Sequence, residues 1–440
     1  MSMDRRAFVA LTAAELAALA AAGCGSSRSN RSVPVTFSPP APAPPPSGRV
    51  ERFDIAVVGA GAFGGWTALH LRQRGASVVL VDQFGPGNSR STSGDETRGV
   101  RSSYGDRAHG RLWMRWARRA MDRWTAFDEE HREHIGGRLF FTTGDIICRE
   151  EEELFTTRTR EWWIAERIPH EVVPVDEARR RWPVVNFDGI TLVLYEPDAG
   201  VVRARRACEA VGFVFTRLGG QIRIGYVTPA ESDARRLGTI AFPNGDRIVA
   251  DAFCFALGPW MPKQFPALLG KLVNLPVGHV CYFGTPPGED RFTYPNLPSW
   301  NFRSVTGWPA LIPDNRGFRV RTAGERAFDP DLSQRIVPAS SIERNRAVLQ
   351  ARFPLLANAP LSETRACHYE SSATRNFLID RHPDYDNVWL AGGGSAEGFK
   401  FGPIVGDYVA GRVLGDDGDP DLAEAFSIPP GGPEPAGDDE

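Results

Sequence analysis

Two patterns of hydrophobic and polar positions alternate along the chain. Short apolar runs rich in β-branched residues, such as 53–58 and 78–81, predict buried strands. Longer stretches with apolar residues three or four positions apart, such as 111–133, predict amphipathic helices. Both kinds of element recur from about residue 50 to residue 414. The pattern therefore predicts an α/β fold.

Further elements follow from turn residues and short β-rich stretches. Residues 138–147 predict a hairpin through Gly144, Asn244-Gly245 predicts the turn of another hairpin, and residues 200–218 predict one helix after a turn. A separate antiparallel sheet is predicted from four short stretches, at 276–285, 301–304, 309–312 and 317–321. These β-rich intervals are predicted to be insertions into a discontinuous α/β domain.

The first predicted strand leads into a glycine motif, Gly59-Ala60-Gly61-Ala62-Phe63-Gly64. Gly59 permits a tight turn, Gly61 leaves room for a pyrophosphate, and Gly64 lets the next helix pack on the strand. Free N–H groups at the helix start hold phosphate charge. Asp82 ends the second strand, where it is placed to accept hydrogen bonds from a ribose diol. The order predicts a dinucleotide site, whereas a glycine turn that binds nothing leaves Asp82 unexplained.

The glycine motif alone does not distinguish FAD from NAD. The α/β elements lie near 50–100, 200–260 and 380–415, with β-rich intervals between them. A discontinuous nucleotide domain favours a flavoprotein over an NAD dehydrogenase, whose nucleotide domain is usually one continuous run.

The two ends of the chain differ from the rest in composition. Residues 1–24 resemble a twin-arginine signal with a lipobox, which predicts export to the extracytoplasmic face of the membrane and a lipid anchor at Cys24. A helical or disordered extension of a cytoplasmic protein is the alternative. Residues 25–48 predict a Pro/Ser-rich linker, and 429–440 a disordered acidic tail. The net charge of −3 gives no case for nucleic acid.

Four segments together resemble the D-amino-acid-oxidase superfamily of FAD enzymes, and most closely its monomeric sarcosine oxidase and N-methyltryptophan oxidase branch. They are GAGAFG with Asp82, GDETRGVRSSYGD, ADAFCFALGPW, and the run from RACHYESS to GPIVGDYVA. The resemblance implies a Rossmann-like FAD-binding domain with an inserted substrate domain. The FAD-binding domain is predicted at 49–105, 200–262 and 375–428, and the substrate domain at 106–199 and 263–374.

The resemblance also implies a covalent link between FAD and Cys367. A nearby cation would favour the thiolate that such a link requires. Thr97 and Arg98 are expected near the flavin ring, and the helix that begins near Gly402 is expected to point its N-terminus at the flavin. The other expected cofactor-binding residues are Gly59, Ala60, Gly61, Phe63, Gly64, Asp82, Gln83, Val227, Gly258, Trp260, Gly398, Phe399 and Lys400. No metal site is expected, because Cys148, Cys208, Cys254 and Cys281 lack metal-ligand spacing.

Substrate residues follow from the same resemblance. Arg101 and Lys400 match two cations that hold the substrate carboxylate, and Tyr369 matches an active-site tyrosine. Catalytic roles are expected for Arg98, Arg319, Tyr369 and Lys400.

The chain departs from the family pattern at three of these positions. Arg319 stands where the family has a lysine that activates oxygen. Gly94 and Glu397 stand where histidines are expected, and a second histidine that contacts the substrate carboxylate has no clear match. The pocket is therefore predicted to differ from that of the family.

These features predict an FAD-dependent oxidoreductase that converts a small carboxylated secondary or N-substituted amine to an imine. Oxygen is the expected acceptor, giving hydrogen peroxide, and the protein is expected to be a monomer. One alternative is a dehydrogenase that passes electrons to a quinone or a protein. Another is a flavin-binding partner without turnover of its own.

Overall fold

Two eight-stranded sheets organise the computed structural model, which describes residues 48–312, 316–324, 327–416 and 418–429. The predicted signal, nearly all of the predicted linker and all but the first residue of the predicted tail lie outside the described residues.

The central sheet is built around the strand Val50–Val58. This strand runs parallel to Val78–Asp82 on one side and to Arg247–Phe255 on the other. The side chains of these strands are divided between two buried hydrophobic clusters, so the apolar runs are buried on both faces of the sheet. The remaining strands of the central sheet are Gln221–Ile224, Thr228–Pro229, Thr239–Ala241, Leu378–Arg381 and Val388–Gly392.

The central sheet takes its strands from distant parts of the sequence. Arg247–Phe255 pairs in parallel with Val388–Gly392 at its carboxyl end and antiparallel with Thr239–Ala241 at its amino end. The predicted discontinuous α/β fold and the hairpin at Asn244-Gly245 are therefore confirmed.

Helices pack closely on the central sheet. A Cβ on Gly406 would lie 2.5 Å from Trp66, so Gly402–Val413 approaches Ala62–Gln73 at backbone distance. None of the helices in the described part of the chain combines the length and the hydrophobicity that a membrane span requires. The other α-helices are Gly110–Ile135, Leu154–Ala165, Val175–Arg181, Ala204–Arg217, Met261–Gln264, Pro266–Leu269, Ala339–Arg352 and Pro420–Ala425, and 3-10 turns span Thr92–Gly94, Gly258–Trp260, Pro354–Leu356 and Gly398–Phe401.

The second sheet, here called the cap sheet, is antiparallel except for one pair. Ser299–Phe302 and Asp145–Arg149 run parallel. Its other strands are Glu171–Val172, Leu192–Glu196, Val277–Phe283, Val305–Trp308, Phe318–Ala323 and Leu361–His368. The exact domain boundaries stay a prediction. Trp124, in the predicted substrate domain, packs 5.3 Å from Trp66 of the nucleotide domain, measured between ring centroids.

The hairpin predicted over 138–147 is wrong. Phe140–Phe141 pairs with Gly200–Val202 in a small sheet that also contains Arg98–Val100, whereas Asp145–Arg149 joins the cap sheet. Gly144 has φ +70° and donates its N–H to Ala199, so it turns the chain from one sheet to the next.

Two smaller predictions also change. Residues 200–218 begin with the strand Gly200–Val202, and the helix starts only at Ala204. Residues 309–312 form no strand, because their sheet contact is a single bridge between Ala310 and Thr293. The described residues also form two short two-stranded sheets. Ser232–Asp233 pairs with Arg236–Leu237, and Val273–Asn274 pairs with Ser371–Ser372.

Candidate active site

A cavity of about 530 Å³ opens at the carboxyl ends of the parallel strands. This is the position at which open α/β sheets bind ligands. Val58, Asp82, Ala256 and Ala391, which lie within one position of the ends of four neighbouring strands, all contribute to its wall. Twelve of the predicted site residues line it: Gly59, Gly61, Phe63, Asp82, Gln83, Arg98, Val227, Gly258, Trp260, Tyr369, Gly398 and Phe399.

The glycine turn forms a backbone cradle at the cavity. Gly59 has φ +106°, and a Cβ there would lie 2.2 Å from the carbonyl oxygen of Ala256. A Cβ on Gly64 would lie 1.9 Å from the oxygen of Gly59, whereas one on Gly61 would meet only the Ser93 hydroxyl, at 3.4 Å. Gly61 therefore leaves open space at the helix start, which suits a diphosphate, although the Ala62 N–H there donates to the Ser93 hydroxyl at 3.1 Å.

Asp82 also holds this cradle together. Its Oδ2 accepts the Ala60 N–H at 2.8 Å, and its Oδ1 accepts the N–H groups of Phe84 and Gly85, each at 2.8 Å. Burial raises the pKa of Asp82, and these three donors oppose that shift. A carboxylate accepts about four hydrogen bonds, so Oδ2 keeps capacity for a ribose hydroxyl. The cradle, the helix start and Asp82 thus fit a dinucleotide.

Cys367 lies near the end of the strand Leu361–His368, beside Arg98. The Arg98 Nη2 donates to the Cys367 Sγ at 2.9 Å and to the Thr92 carbonyl oxygen at 2.6 Å. Cys367 is half-buried, unlike Cys208 and Cys254, whose pKa burial raises to about 12. The sulfur of Cys367 is therefore in direct hydrogen-bonding contact with a cation.

Asp95 fixes the other side of the Arg98 guanidinium. It forms a short ion pair with Arg98 and lies 3.6 Å from the Nη2 of Arg319 and 4.0 Å from the Nε of Arg365. Tyr282 donates its hydroxyl to Asp95 at 3.2 Å. Burial raises the pKa of Asp95, but the three arginines outweigh that effect and lower the pKa to about 2. We call these four charged residues the Asp95 cluster.

Arg319 and Thr97 lie behind the cavity wall. Arg319 is 2% exposed, with its guanidinium carbon 3.8 Å from the ring centroid of Trp308. Thr97 is hydrogen-bonded to the Trp308 indole at 2.8 Å and to the Tyr282 hydroxyl at 3.1 Å. Their expected roles beside the flavin stay predictions.

A second group of charges surrounds Lys400, directly after the cavity residues Gly398 and Phe399. The Lys400 Nζ donates to the Tyr104 hydroxyl at 2.8 Å. Burial lowers the pKa of Lys400 to about 7, although Glu397 opposes this shift. We call Arg101, Tyr104, Glu397 and Lys400 the Lys400 cluster.

Arg101 has an uncommitted guanidinium. Its Nε has no hydrogen-bond partner, and no carboxylate of the described residues forms an ion pair with it. Glu397 instead pairs with Arg107, 2.8 Å from the Nη2 of that residue. Burial raises the pKa of Glu397, but Lys400, Arg107 and Arg101 together lower it to about 2. The structure therefore places Arg101 and Lys400 close enough for both to act on the same carboxyl group, that of Glu397.

Sequence reasoning missed several residues of this site. Asp95 stood in a quoted motif, where an acid among arginines was a usable signal. Glu370, beside Tyr369, lines the cavity, and Asp145 lies near Arg101. Burial raises the pKa of both carboxyls to about 7. Their positions depend on strand pairing, which the sequence pattern did not reveal.

Comparisons with known proteins agree with this geometry. A family model described as FAD dependent oxidoreductase matches residues 54–412. The monomeric sarcosine oxidase of Bacillus sp. (strain B-0618) is 27% identical, over 86% of this chain and 95% of its own. Glycine oxidase from Geobacillus kaustophilus has a similar structure, with a TM-score of 0.73 at 20% identity, over 86% of this chain and 99% of its own. Fructosamine oxidase from Aspergillus fumigatus gives the same score and identity, over 86% and 90%.

Proposed function

The chain belongs to the family of FAD-dependent oxidoreductases and acts on CH–NH donors, and from this premise we propose that it oxidises a small carboxylated amine. The amine is secondary or N-substituted, and the product is an imine that water hydrolyses. Bound FAD supplies the hydride acceptor for this reaction. The chain's own residues bind the substrate and orient it.

One observation carries the proposal: Arg101 and Lys400 form no ion pair with a carboxylate of the described residues. Neither cation lines the cavity itself, but Lys400 directly follows the wall residue Phe399. The Arg101 guanidinium has a free Nε, and the Lys400 Nζ is bonded to a neutral phenol, Tyr104. Charge-assisted hydrogen bonds to a carboxylate are stronger than neutral ones, especially away from water. A substrate carboxylate would therefore be held by Arg101 and Lys400, which fixes the orientation of the amine. Tyr369 on the wall limits its size.

The test is flavin bleaching under nitrogen. N-methyl amino acids of increasing size are mixed with the enzyme, each beside its methylamide, which has the same shape without the charge. We expect the acids to bleach the flavin and the amides to fail. Equal bleaching by both would contradict carboxylate recognition. Bleaching by no amine would favour the flavin-binding partner.

Oxygen is the proposed final acceptor, giving hydrogen peroxide. The buried position of Arg319, behind Asp95 and Trp308, keeps a dehydrogenase as the second candidate, because the expected oxygen-activating cation does not line the cavity. Oxygen uptake and dye reduction are measured on one sample. Turnover with dye but without oxygen uptake would support the dehydrogenase.

A covalent bond between FAD and Cys367 is the third part of the proposal. The contact between Arg98 and the sulfur supports it, because a guanidinium stabilises a thiolate. Acid precipitation should leave the yellow colour in the pellet of the wild type and release it from Cys367→Ser. Cys254→Ser, which removes a fully buried thiol of the strand Arg247–Phe255, is the matched control and should keep its colour. Colour released from the wild type would exclude the link.

Export and a lipid anchor at Cys24 complete the proposal, and they are supported by the sequence of residues 1–24 alone. A labelled fatty acid should be incorporated into the wild type and not into Cys24→Ala. Incorporation into neither would contradict the anchor. Sedimentation of the purified protein tests the proposed monomer.

A further inference from the structure

Glu370 is a buried carboxyl group in the wall of the cavity. It is 7% exposed. Its Oε1 accepts the Gly394 N–H at 3.3 Å, and its partners within the described residues are backbone N–H groups. No described lysine or arginine forms an ion pair with it. An ionised carboxylate in this position would therefore be buried without a compensating charge, which is costly.

Three glycines leave room for this carboxyl group in the cavity wall. A Cβ on Gly258 would lie 3.1 Å from Oε2, and Cβ atoms on Gly392 and Gly394 would lie 3.7 and 3.6 Å from Oε1. Two positions before Gly258, the Ala256 carbonyl packs on Gly59. Glu370 thus lines the same cavity as Tyr369 and the glycine turn, where a bound dinucleotide would come within its reach.

A carboxyl group in this position meets FAD in one of two forms. The ionised form would add a negative charge next to the diphosphate. The neutral form has an O–H that can donate to a phosphate, ribityl or ring acceptor. Burial raises the pKa of Glu370 to about 7, which favours the neutral form. Nearby backbone N–H groups oppose this shift without reversing it.

We propose that Glu370 binds FAD as a neutral carboxylic acid and donates a hydrogen bond to the cofactor, so that FAD affinity falls when this proton is lost. The inference rests on FAD binding and not on the identity of the amine. Retention of FAD then depends on pH.

The cationic side chains on the wall already have carboxylate partners. Lys263 pairs with Asp331 at 2.6 Å, and Arg98 pairs with Asp95. The phenols of Tyr226 and Tyr369 also line the cavity. Asp82 is the other wall carboxyl whose pKa burial raises, so it is the main competitor in a pH titration. Variants must therefore separate Glu370 from Asp82.

The experiment measures the dissociation constant of FAD from about pH 6 to about pH 9. Cys367→Ser serves as the parent, because its flavin can leave whether or not the wild type is covalently linked. We expect the constant to rise by up to about tenfold per pH unit above the pKa of Glu370. Adding Glu370→Gln, which keeps a neutral donor, should give tight binding that no longer depends on pH. Adding Glu370→Ala should weaken binding below the pKa of Glu370, where the parent donates its proton, and should also remove the pH dependence.

Three results would overturn the inference. The first is a parent whose FAD affinity does not change over this pH range, a result that needs no further variant. The second is a Glu370→Gln variant with the slope of the parent, and the third comes from Asp82. Asp82→Asn in the same parent should keep the slope, and loss of the slope there would assign the proton to Asp82 instead. The flavin absorption band, followed over the same pH values, gives a readout that is independent of turnover.

Discussion

The Asp95 cluster and the Lys400 cluster are both buried groups of charges, but they are balanced differently. In the first, one carboxylate is surrounded by Arg98, Arg319 and Arg365 and is fully ionised, with a pKa of about 2. In the second, Arg101 and Lys400 have no carboxylate in an ion pair with them among the described residues. Arginines that share an ion-paired carboxylate are fixed in position, whereas cations without one can bind the anion of a ligand.

The contrast is sharpest between two arginines three positions apart. Arg98 donates to Asp95, Thr92, Thr97 and the Cys367 sulfur, so its guanidinium is committed within the protein. Arg101 leaves its Nε without a partner. Residue type alone therefore does not distinguish an arginine that organises the site from one that awaits a substrate. The difference lies in whether a partner is already in place.

The largest expected effect comes from removing the charge at the centre of the Asp95 cluster. Asp95→Asn should lower the free energy of unfolding by about 3–5 kcal/mol, because buried arginines lose their counter-ion. Urea unfolding measures this change. Lys263→Met, which breaks an exposed pair, is the control. A loss of less than about 1 kcal/mol in Asp95→Asn would show that the cluster is not a structural centre.

The next largest effect is expected when a binding cation is removed from the Lys400 cluster. Arg101→Gln should lower kcat/KM for a carboxylated amine by about 100-fold, or roughly 3 kcal/mol, because a desolvated charge pair with the substrate is lost. Stability should change little, in contrast to Asp95→Asn. Arg123→Gln, at an exposed position on the helix Gly110–Ile135, is the matched control. An equal loss for the methylamide substrate would contradict the assigned role.

Ligand binding at the Lys400 cluster should also depend on pH. Lys400 has a pKa of about 7, so it is cationic below pH 7 and loses its proton as the pH rises above that value. Affinity for a carboxylate ligand should therefore fall above pH 7, by up to about tenfold per unit. Titration of a competitive carboxylate inhibitor measures this. Lys400→Met should bind weakly without that dependence, and a slope retained in Lys400→Met would assign it to another group.

The smallest effect is expected outside both clusters. Lys263 pairs with Asp329 at 2.7 Å and with Asp331 at 2.6 Å, but these side chains are more than one third exposed. Lys263→Met should change the free energy of unfolding by less than about 1 kcal/mol, because solvent screens exposed pairs. A loss comparable to that of Asp95→Asn would show that burial does not determine how much these ion pairs contribute to stability.

The backbone features of the site were predictable from the sequence, and the charge network was not. Gly59, Gly64 and Asp82 could be placed because strand, turn and helix follow one another locally. Asp95 and Arg319 are more than two hundred positions apart, so no local pattern places one beside the other. The hairpin predicted at Gly144 failed for the same reason, since both flanking strands found distant partners.

The order of strands in the central sheet also has a consequence for biosynthesis. Val388–Gly392 contacts Arg247–Phe255, which in turn contacts Val50–Val58, so the cavity is bounded by strands made at very different times. The ribosome must release the last of these strands before the glycine turn can face a complete wall. Cofactor binding is therefore delayed until translation is nearly complete. Until then, the first strands of the nascent chain must avoid pairing with other polypeptides.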